Sequence, residues 1–313
     1  MKESAPSSIS TGSDKIDTSP HQDDNKRATI TAGAQQGELA AKKPKWWKRL
    51  SGRKATKSQR ACLGRMIDRG FVVTKLPPPN GPPFELGSIF SNPQSEIVVE
   101  LGFGNGNNLF SLAQQNPHVR YLGAEMYQPG VCNLLKRIEE STLVKIEEKI
   151  DSAHVENEVS SPLDLFDNLR IYGGDGIRLL QSLPSQSVST IILTFPDPFP
   201  NENQTKWRIL QHPTVLLLER VLMPKNQISK ENLPLTELSS RFFLATDHVK
   251  FHDWTTSLFQ QRTQAFGGPW KQVAPVPSRA FWLPVISQYE SKGLEEGRET
   301  LLQCWELSGD SIN

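Results

Sequence analysis

Five carboxylates of this sequence stand at or just after the end of a short apolar segment: Glu100, Glu125, Asp175, Asp197 and Asp247. The first of these segments, residues 97–99, is β-branched, which is typical of a strand buried in a parallel sheet. Ligands of open α/β sheets bind beyond the carboxyl ends of the strands. We therefore expect the five acids to line one cleft at that edge of the sheet.

A glycine-rich turn follows the first acid, with glycines at Gly102, Gly104 and Gly106. Apolar residues with helical spacing begin at Leu109. A strand, a glycine turn and a helix together form a cleft for a nucleotide-like ligand, because the turn and the helix N-terminus can approach the ligand closely. The turn alone is a weak signal, since many structural turns require glycine.

Two ligands compete for this cleft, a nicotinamide dinucleotide and S-adenosylmethionine. Glu125 meets the dinucleotide site's demand for an acid on the ribose, but the turn is GxGxG rather than GxGxxG. Glu100 beside the turn would repel a pyrophosphate by roughly 1–4 kcal/mol at about 4 Å. S-adenosylmethionine carries sulfonium and ammonium cations instead. Electrostatics therefore favours S-adenosylmethionine, with Glu125 on the ribose hydroxyls and Asp175 on the adenine side.

The segment of residues 194–200, Thr-Phe-Pro-Asp-Pro-Phe-Pro, is the second specific signal. Its three prolines restrict the backbone and would hold Asp197 in place at the edge of the sheet. The alternative interpretation is a plain proline-rich turn.

The elements that must position these acids alternate between strands and helices. We predict strands at 97–99, 121–125, 169–172, 188–194, 241–246 and 301–305, with helices that include 131–149, 207–221 and 251–261. This order predicts an α/β fold with a doubly wound, mostly parallel, Rossmann-like sheet.

The composition divides the chain into three parts. Residues 1–41 are polar and predicted to be disordered, residues 42–95 form a basic arm with a proline-rich connector, and residues 96–313 form the ligand-binding domain. Residues 1–60 carry 13 Lys and Arg against 6 Asp and Glu, whereas the rest carries 22 against 28. Trp46 and Trp47 lie among the basic residues, so the arm is a candidate for contact with a nucleic acid. A solvated tail or a nuclear-import signal is the alternative.

Other classes of protein are disfavoured. No apolar run approaches the roughly 20 residues that span a bilayer, so we expect no membrane segment, and residues 1–30 lack the apolar core of a secretory signal. The three cysteines form no CxxC pair, which argues against a zinc site or a disulfide framework. His248 and His252 are four residues apart, but no third ligand is evident, so we expect no metal.

Several of these segments resemble the tRNA (guanine-N7)-methyltransferase family. The resemblance covers most of residues 50–307 and lies in segments 99–106, 122–125, 174–175, 195–200, 206–209 and 245–247. Upstream, residues 52–59 are similar to the basic arm of the bacterial single-chain enzymes. The resemblance implies a class I methyltransferase fold, S-adenosylmethionine as cofactor and tRNA as substrate.

The resemblance also implies roles for single residues. Those that would bind the cofactor are Glu100, Gly102, Gly104, Gly106, Glu125 and Asp175. Asp197 would be the catalytic or guanine-site acid, and Asp247 would help to hold the target nucleotide. Near the C-terminus Ser287, Gln288, Tyr289 and Glu290 are similar to the family's substrate-binding segment. A second register places Glu296 in the position of Glu290.

One departure from the family concerns the segment after Asp197. The family shows a dense basic run there, whereas this chain has Asn201 at a position where a substrate-contacting lysine is common. Lys206 and Arg208 are the basic residues that remain. The departure weakens the local phosphate site, for which the basic arm could compensate.

The resulting hypothesis is methyl transfer from S-adenosylmethionine to N7 of a guanine in the tRNA variable loop. Guanine N7 has a lone pair and no proton, so positioning and electrostatics can supply the catalysis. The alternatives are a methyltransferase that acts on another RNA and a non-catalytic RNA-binding relative. The bacterial-like arm favours action as a single chain, with an accessory subunit as the alternative. The sequence leaves the cytosol, the nucleus and an organelle open.

Overall fold

A computed structural model describes residues 55–78, 81–90, 96–152, 166–225 and 240–308. The predicted disordered tail lies outside these residues, as does the first part of the predicted basic arm. None of the helices described is long and apolar enough to cross a membrane.

The described residues form one seven-stranded sheet with helices packed against it. The strands are β1 (Ile97–Leu101), β2 (Arg120–Ala124), β3 (Leu169–Tyr172), β4 (Thr190–Thr194), β5 (Arg241–Thr246), β6 (Trp270–Gln272) and β7 (Leu301–Leu307). The helices are α1 (Lys57–Asp68), α2 (Asn107–Gln115), α3 (Gln128–Ser152), α4 (Gly176–Ser182), α5 (His212–Val221), α6 (Val249–Phe266) and α7 (Gln288–Glu295). Short 3₁₀ turns occur at Leu86–Ser88, Glu202–Trp207 and Arg279–Phe281.

The strand order is β3-β2-β1-β4-β5-β7-β6. The first five strands pair in parallel, and β7 and β6 run antiparallel at one edge. The order reverses between β1 and β4, which is the switch point where doubly wound sheets bind ligands. The predicted doubly wound, mostly parallel sheet is confirmed.

The two central strands are buried along their length, as their apolar sequences predict. Every residue of β1 is buried, and four of the five residues of β4 are. Helices cover both faces of the sheet, so the sheet lies between two apolar layers, one on each face. This burial fixes the strand ends, and with them the residues that follow.

The residues before β1 belong to the same core. Met66 of α1 and Phe71 are buried, and the backbone at 71–73 bonds beside β3, where the Val73 N–H donates to the Ile171 carbonyl at 2.8 Å. Arg65 of α1 forms a bidentate ion pair with Glu139 of α3, both contacts at 2.7 Å. The apolar core therefore includes residues that precede residue 96, the predicted start of the ligand-binding domain.

Candidate active site

The glycine turn between β1 and α2 needs its glycines. Gly102, Gly104 and Gly106 have φ of +73°, +58° and +71°, a backbone region that favours glycine. A Cβ on Gly106 would lie 2.5 Å from a side-chain atom of Leu134 in α3. The turn therefore combines a left-handed backbone with close packing on α3.

Glu125 fastens this turn to the end of β2. Its carboxylate accepts hydrogen bonds from the Gly104 N–H at 2.7 Å and from the Tyr127 N–H at 2.6 Å. Asp175, at the end of the loop after β3, caps α4 by accepting from the Ile177 N–H at 3.0 Å. Both acids thus hold backbone at the carboxyl edge of the sheet, where the sequence pattern placed them.

Glu100 differs from the other acids because it lies inside the protein, with 1% of its surface exposed. One oxygen accepts from the Asn108 side chain and the Thr194 hydroxyl, both at 3.4 Å, and the other is buried with no hydrogen-bond partner among the described residues. Burial raises the pKa of Glu100 to about 7, and the Asn108 and Thr194 hydrogen bonds limit the rise. A buried acid with an unused oxygen fits a cationic ligand above the turn.

The loop that carries Asp197 has a constrained backbone on both sides of that residue. Phe195 and Phe199 adopt positive φ, at +46° and +41°, which is strained for residues other than glycine. The Arg208 guanidinium donates to the carbonyls of Pro198 at 2.9 Å and Phe199 at 3.1 Å. These contacts hold the loop in a conformation that its own torsions disfavour.

Arg208 is therefore a clamp rather than a surface cation. It is 5% exposed and its guanidinium lies 5.1 Å from the ring centre of Trp254. Asp197 itself reaches solvent and makes no ion pair with any described residue. The protein around it reduces its solvation and raises the pKa of Asp197.

Asp247, directly after β5, packs against α7. Its carboxylate accepts from Arg298 Nε at 2.8 Å, and a Cβ on Gly293 would lie 2.9 Å from the same carboxylate oxygen. The predicted substrate acid thus lies beside the predicted substrate segment, and it is paired with an arginine.

The segment of residues 287–290 forms the first turn of α7. Ser287 caps the helix by accepting from the Glu290 N–H at 3.1 Å, and Gln288 accepts from the Asn105 side chain at 2.8 Å. Tyr289 is 53% exposed. Partial burial and the charges of Glu125 and Asp197 raise the pKa of Tyr289, and its ring lies against Gly104 of the glycine turn.

Glu290 points the other way, into the protein. It is 1% exposed, and its two oxygens accept from the Arg279 guanidinium at 2.6 and 2.9 Å, with the Thr300 hydroxyl at 3.0 Å. Glu296, the residue of the second register, ends α7 at the surface and pairs with Arg298. Glu290 is thus placed to anchor the segment, while Tyr289 faces the cleft.

Asn201 is exposed at the start of the 3₁₀ turn after the Asp197 loop. Lys206 is also exposed, and its ammonium lies 5.4 Å from the centre of the Trp207 ring. Among the described residues, no group of three or more His, Cys, Asp and Glu could hold a metal ion.

Sequence reasoning missed two arginines of the site, Arg279 and Arg298. Each pairs with a carboxylate, Glu290 or Asp247, that lies on another element, so no local pattern marks it. Arg208 belonged to a recognised motif, but its type suggested a phosphate contact instead of a buried clamp.

Comparisons with known proteins agree on one family. A family model described as "Putative methyltransferase" matches residues 94–302. A tRNA (guanine-N(7)-)-methyltransferase of Roseobacter denitrificans is 30% identical over 256 residues, which are 79% of this chain and 91% of the relative. The protein of that description from Halorhodospira halophila is 27% identical, over 84% of this chain and 94% of the relative.

A third relative of the same description, from Nitrosococcus oceani, is 34% identical over 45% of this chain, and that match spans half of the relative's length. The match to the family model includes the glycine turn, the Asp197 loop and most of the sheet. The chain belongs to the tRNA (guanine-N7)-methyltransferase family.

Proposed function

We propose that this chain methylates N7 of a guanine in the variable loop of tRNA, with S-adenosylmethionine as the methyl donor. The observation that carries the proposal is the meeting of two carboxylate sets at the switch point of the sheet. Glu100, Glu125 and Asp175 lie at or after the ends of the neighbouring strands β1, β2 and β3, and Asp197 follows β4, on the other side of β1, in a strained, clamped loop.

The residues around the turn fit the cofactor. The unpartnered buried oxygen of Glu100 matches a cationic group, and the glycines leave room for a ligand at the end of β1. When bound, S-adenosylmethionine supplies an electrophilic methyl group on a sulfonium. Glu125 has capacity on both oxygens to accept further hydrogen bonds, as from ribose hydroxyls, and Asp175 would face the adenine side.

Asp197 would act on the guanine. Its carboxylate can accept from the N1–H and the exocyclic amine of guanine, and adenine lacks that pair of donors. Because N7 has no proton to lose, no general base is required, and the carboxylate stabilises the positive charge that develops on the purine. The Tyr289 ring beside Glu125 and Asp197 would limit how the base can lie.

The test is incubation of the full chain with labelled S-adenosylmethionine and an unmodified tRNA transcript, followed by mapping of the modified nucleoside. We expect 7-methylguanosine in the variable loop. A matched transcript with 7-deazaguanine at the target position keeps the base edge that Asp197 would read but has no N7, and it should take up no label. Label in the deaza transcript, or at an adenine, would overturn the assignment.

We further propose that the chain acts without a second subunit. Helix α1, the described end of the arm, is held on α3 by the Arg65–Glu139 pair and is already part of the core. Methylation by the purified chain alone, with no other protein present, supports this. A requirement for an added cell extract would contradict it.

A further inference from the structure

Four side-chain amides form a continuous series of hydrogen bonds around the glycine turn. Gln59 of α1 donates to Asn133 of α3 at 3.2 Å, and Asn133 donates to Asn105 of the glycine turn at 3.2 Å. Asn105 then donates to Gln288 of α7 at 2.8 Å. These hydrogen bonds thus join helix α1, the glycine turn and the start of α7, which the proposed function takes as the tRNA-binding segment.

The backbone of the turn is held separately from this series of hydrogen bonds. The Arg137 guanidinium donates to the Asn105 carbonyl at 2.7 Å, and the Gly104 N–H is bonded to Glu125. A Cβ on Gly130 of α3 would lie 2.2 Å from the Gly104 carbonyl oxygen, so α3 packs directly on the turn. The Asn105 side chain is thus not needed to fold the turn, and its amide is engaged with the neighbouring helices.

Helix α7 contacts the turn at a second point. A Cβ on Gly104 would lie 3.5 Å from a ring atom of Tyr289, so the first turn of α7 covers part of the turn. A ligand that orders the turn would consequently also order residues 288 and 289. Two sites joined in this way share a coupling free energy, and each ligand raises the affinity for the other by the same factor.

We propose that Asn105 is a positioning residue that couples the cofactor turn to the tRNA-binding segment through its hydrogen bond to Gln288. The proposal rests on the proposed function, because it takes the turn as the cofactor site and α7 as part of the tRNA site. Asn133 and Gln59 extend the same coupling to α1. The consequence is cooperative binding: the cofactor site and the tRNA site each favour occupation of the other.

The experiment measures this cooperativity in the full chain. Calorimetric titration with S-adenosylhomocysteine, which binds without turnover, is carried out with and without saturating tRNA transcript. We expect tRNA to tighten binding in the wild type by about tenfold, within the usual range of coupling between sites. In Asn105→Ala and in Gln288→Asn, whose side chain is too short to reach, the factor should fall to about two or less.

A double-mutant cycle tests the direct contact. If the coupling passes through Asn105 and Gln288, the Asn105→Ala/Gln288→Asn variant shows the same residual cooperativity as either single variant. The proposal would be overturned if Asn105→Ala lowered the affinity for both ligands while the coupling factor stayed at the wild-type value. Asn105 would then only contact the ligands and would not couple the two sites. An additive double variant would overturn it as well.

The failure of this inference differs from the failure of the proposed function. A wild-type chain that binds neither S-adenosylhomocysteine nor tRNA contradicts the function itself. A wild type that binds both ligands independently, with no change in affinity, leaves the function standing and overturns the coupling alone. Thermal melting of each variant identifies loss of folding. Gln288→Asn changes a residue at the exposed start of α7 and is the variant less prone to unfold.

Discussion

The two halves of the site are built in different ways. In the cofactor half, around β1, β2 and β3, two of the three acids bond backbone N–H groups, as Glu125 does with Gly104 and Tyr127, and Glu100 accepts only from side chains. In the substrate half, after β4 and β5 and in α7, carboxylates are held by arginines, as Asp247 is by Arg298 and Glu290 by Arg279.

The difference distinguishes acids that can bind a ligand from acids that hold parts of the protein in place. A carboxylate paired with an arginine already has its counter-charge within the protein, so less of its negative charge acts on a substrate. Asp197, which has no ion pair within the described residues, is therefore the substrate-half acid with most capacity for the reaction. The comparison leads to the predictions that follow, from the largest expected effect to the smallest.

The largest effect is expected for Asp197→Asn. We expect kcat to fall about 10²–10³-fold, as for loss of an electrostatic contact in a transition state. Affinity for S-adenosylhomocysteine should change by less than about threefold, because the residue acts on the guanine.

The pH profile is the control for that variant. The raised pKa of Asp197 predicts that kcat, measured at saturating S-adenosylmethionine, is lost on acidification at a higher pH than the usual aspartate value of about 3.9. The asparagine variant should lack this acid limb, and an unchanged profile with wild-type turnover would contradict the role.

Arg208→Lys tests whether the clamp matters for the reaction. A lysine lacks the rigid planar fork by which Arg208 bonds both carbonyls of the Asp197 loop, and we expect kcat to fall about 10–100-fold through misplacement of Asp197. Lys206→Ala, two residues away and exposed, should raise the KM for tRNA with little change in kcat. Similar kinetic effects of the two variants would show that Arg208 is only another phosphate contact.

Glu290 and Glu296 can be distinguished by stability. Glu290→Gln weakens a buried pair with Arg279, and we expect the free energy of unfolding in urea to drop by about 1–3 kcal/mol. Glu296→Gln, at the exposed end of α7, should change it by less than about 0.5 kcal/mol. The reverse order would favour the second register of this segment.

Glu100 predicts a pH dependence of cofactor affinity. With a pKa near 7 in the ligand-free protein, Glu100 binds a proton below pH 7, and a cationic ligand favours its ionised form. Affinity for S-adenosylmethionine should therefore rise with pH up to about pH 7, by at most about tenfold per pH unit. Calorimetry at several pH values measures this, and Glu100→Gln should bind more weakly with a flat profile.

The same group affects stability with a defined sign. Its folded-state pKa of about 7 lies above the usual 4.5, so the folded state holds a proton that the unfolded state releases between these values. The free energy of unfolding of the ligand-free protein should consequently fall as the pH rises through this window. Glu100→Gln removes this contribution, which supplies the control.

The smallest effect is expected for Asn201→Lys, which restores a cation to the exposed 3₁₀ turn after the loop. We expect tRNA affinity to rise severalfold at low salt, with a log–log salt slope steeper by about 0.7–0.9 if one phosphate contact is added. Asn201→Gln keeps the side chain neutral and should leave the slope unchanged. No change for the lysine variant would place the tRNA backbone away from this turn.

Much of the cofactor half could be predicted because its determinants are local. The strand β1 follows from its own β-branched residues, and the turn follows from its own glycines. The acids stand directly at the strand ends, so each feature is encoded within a few residues of where it occurs. The helix predicted at 207–221 was partly wrong for a local reason as well, since Pro213 at the first turn starts α5 at His212 and leaves a 3₁₀ turn before it. Helix α7 and the three-residue strand β6 went unpredicted.

The sequence by itself determined the sheet, the turn and which carboxylates stand at its edge, because apolar periodicity and glycine torsions act over short distances. The tertiary structure alone decided what each carboxylate does. It buried Glu100 with a free oxygen, paired Glu290 with Arg279, and placed Arg208 under the Asp197 loop. These outcomes depend on contacts between residues that lie apart along the chain, and solvation and pairing are properties of those contacts rather than of residue type.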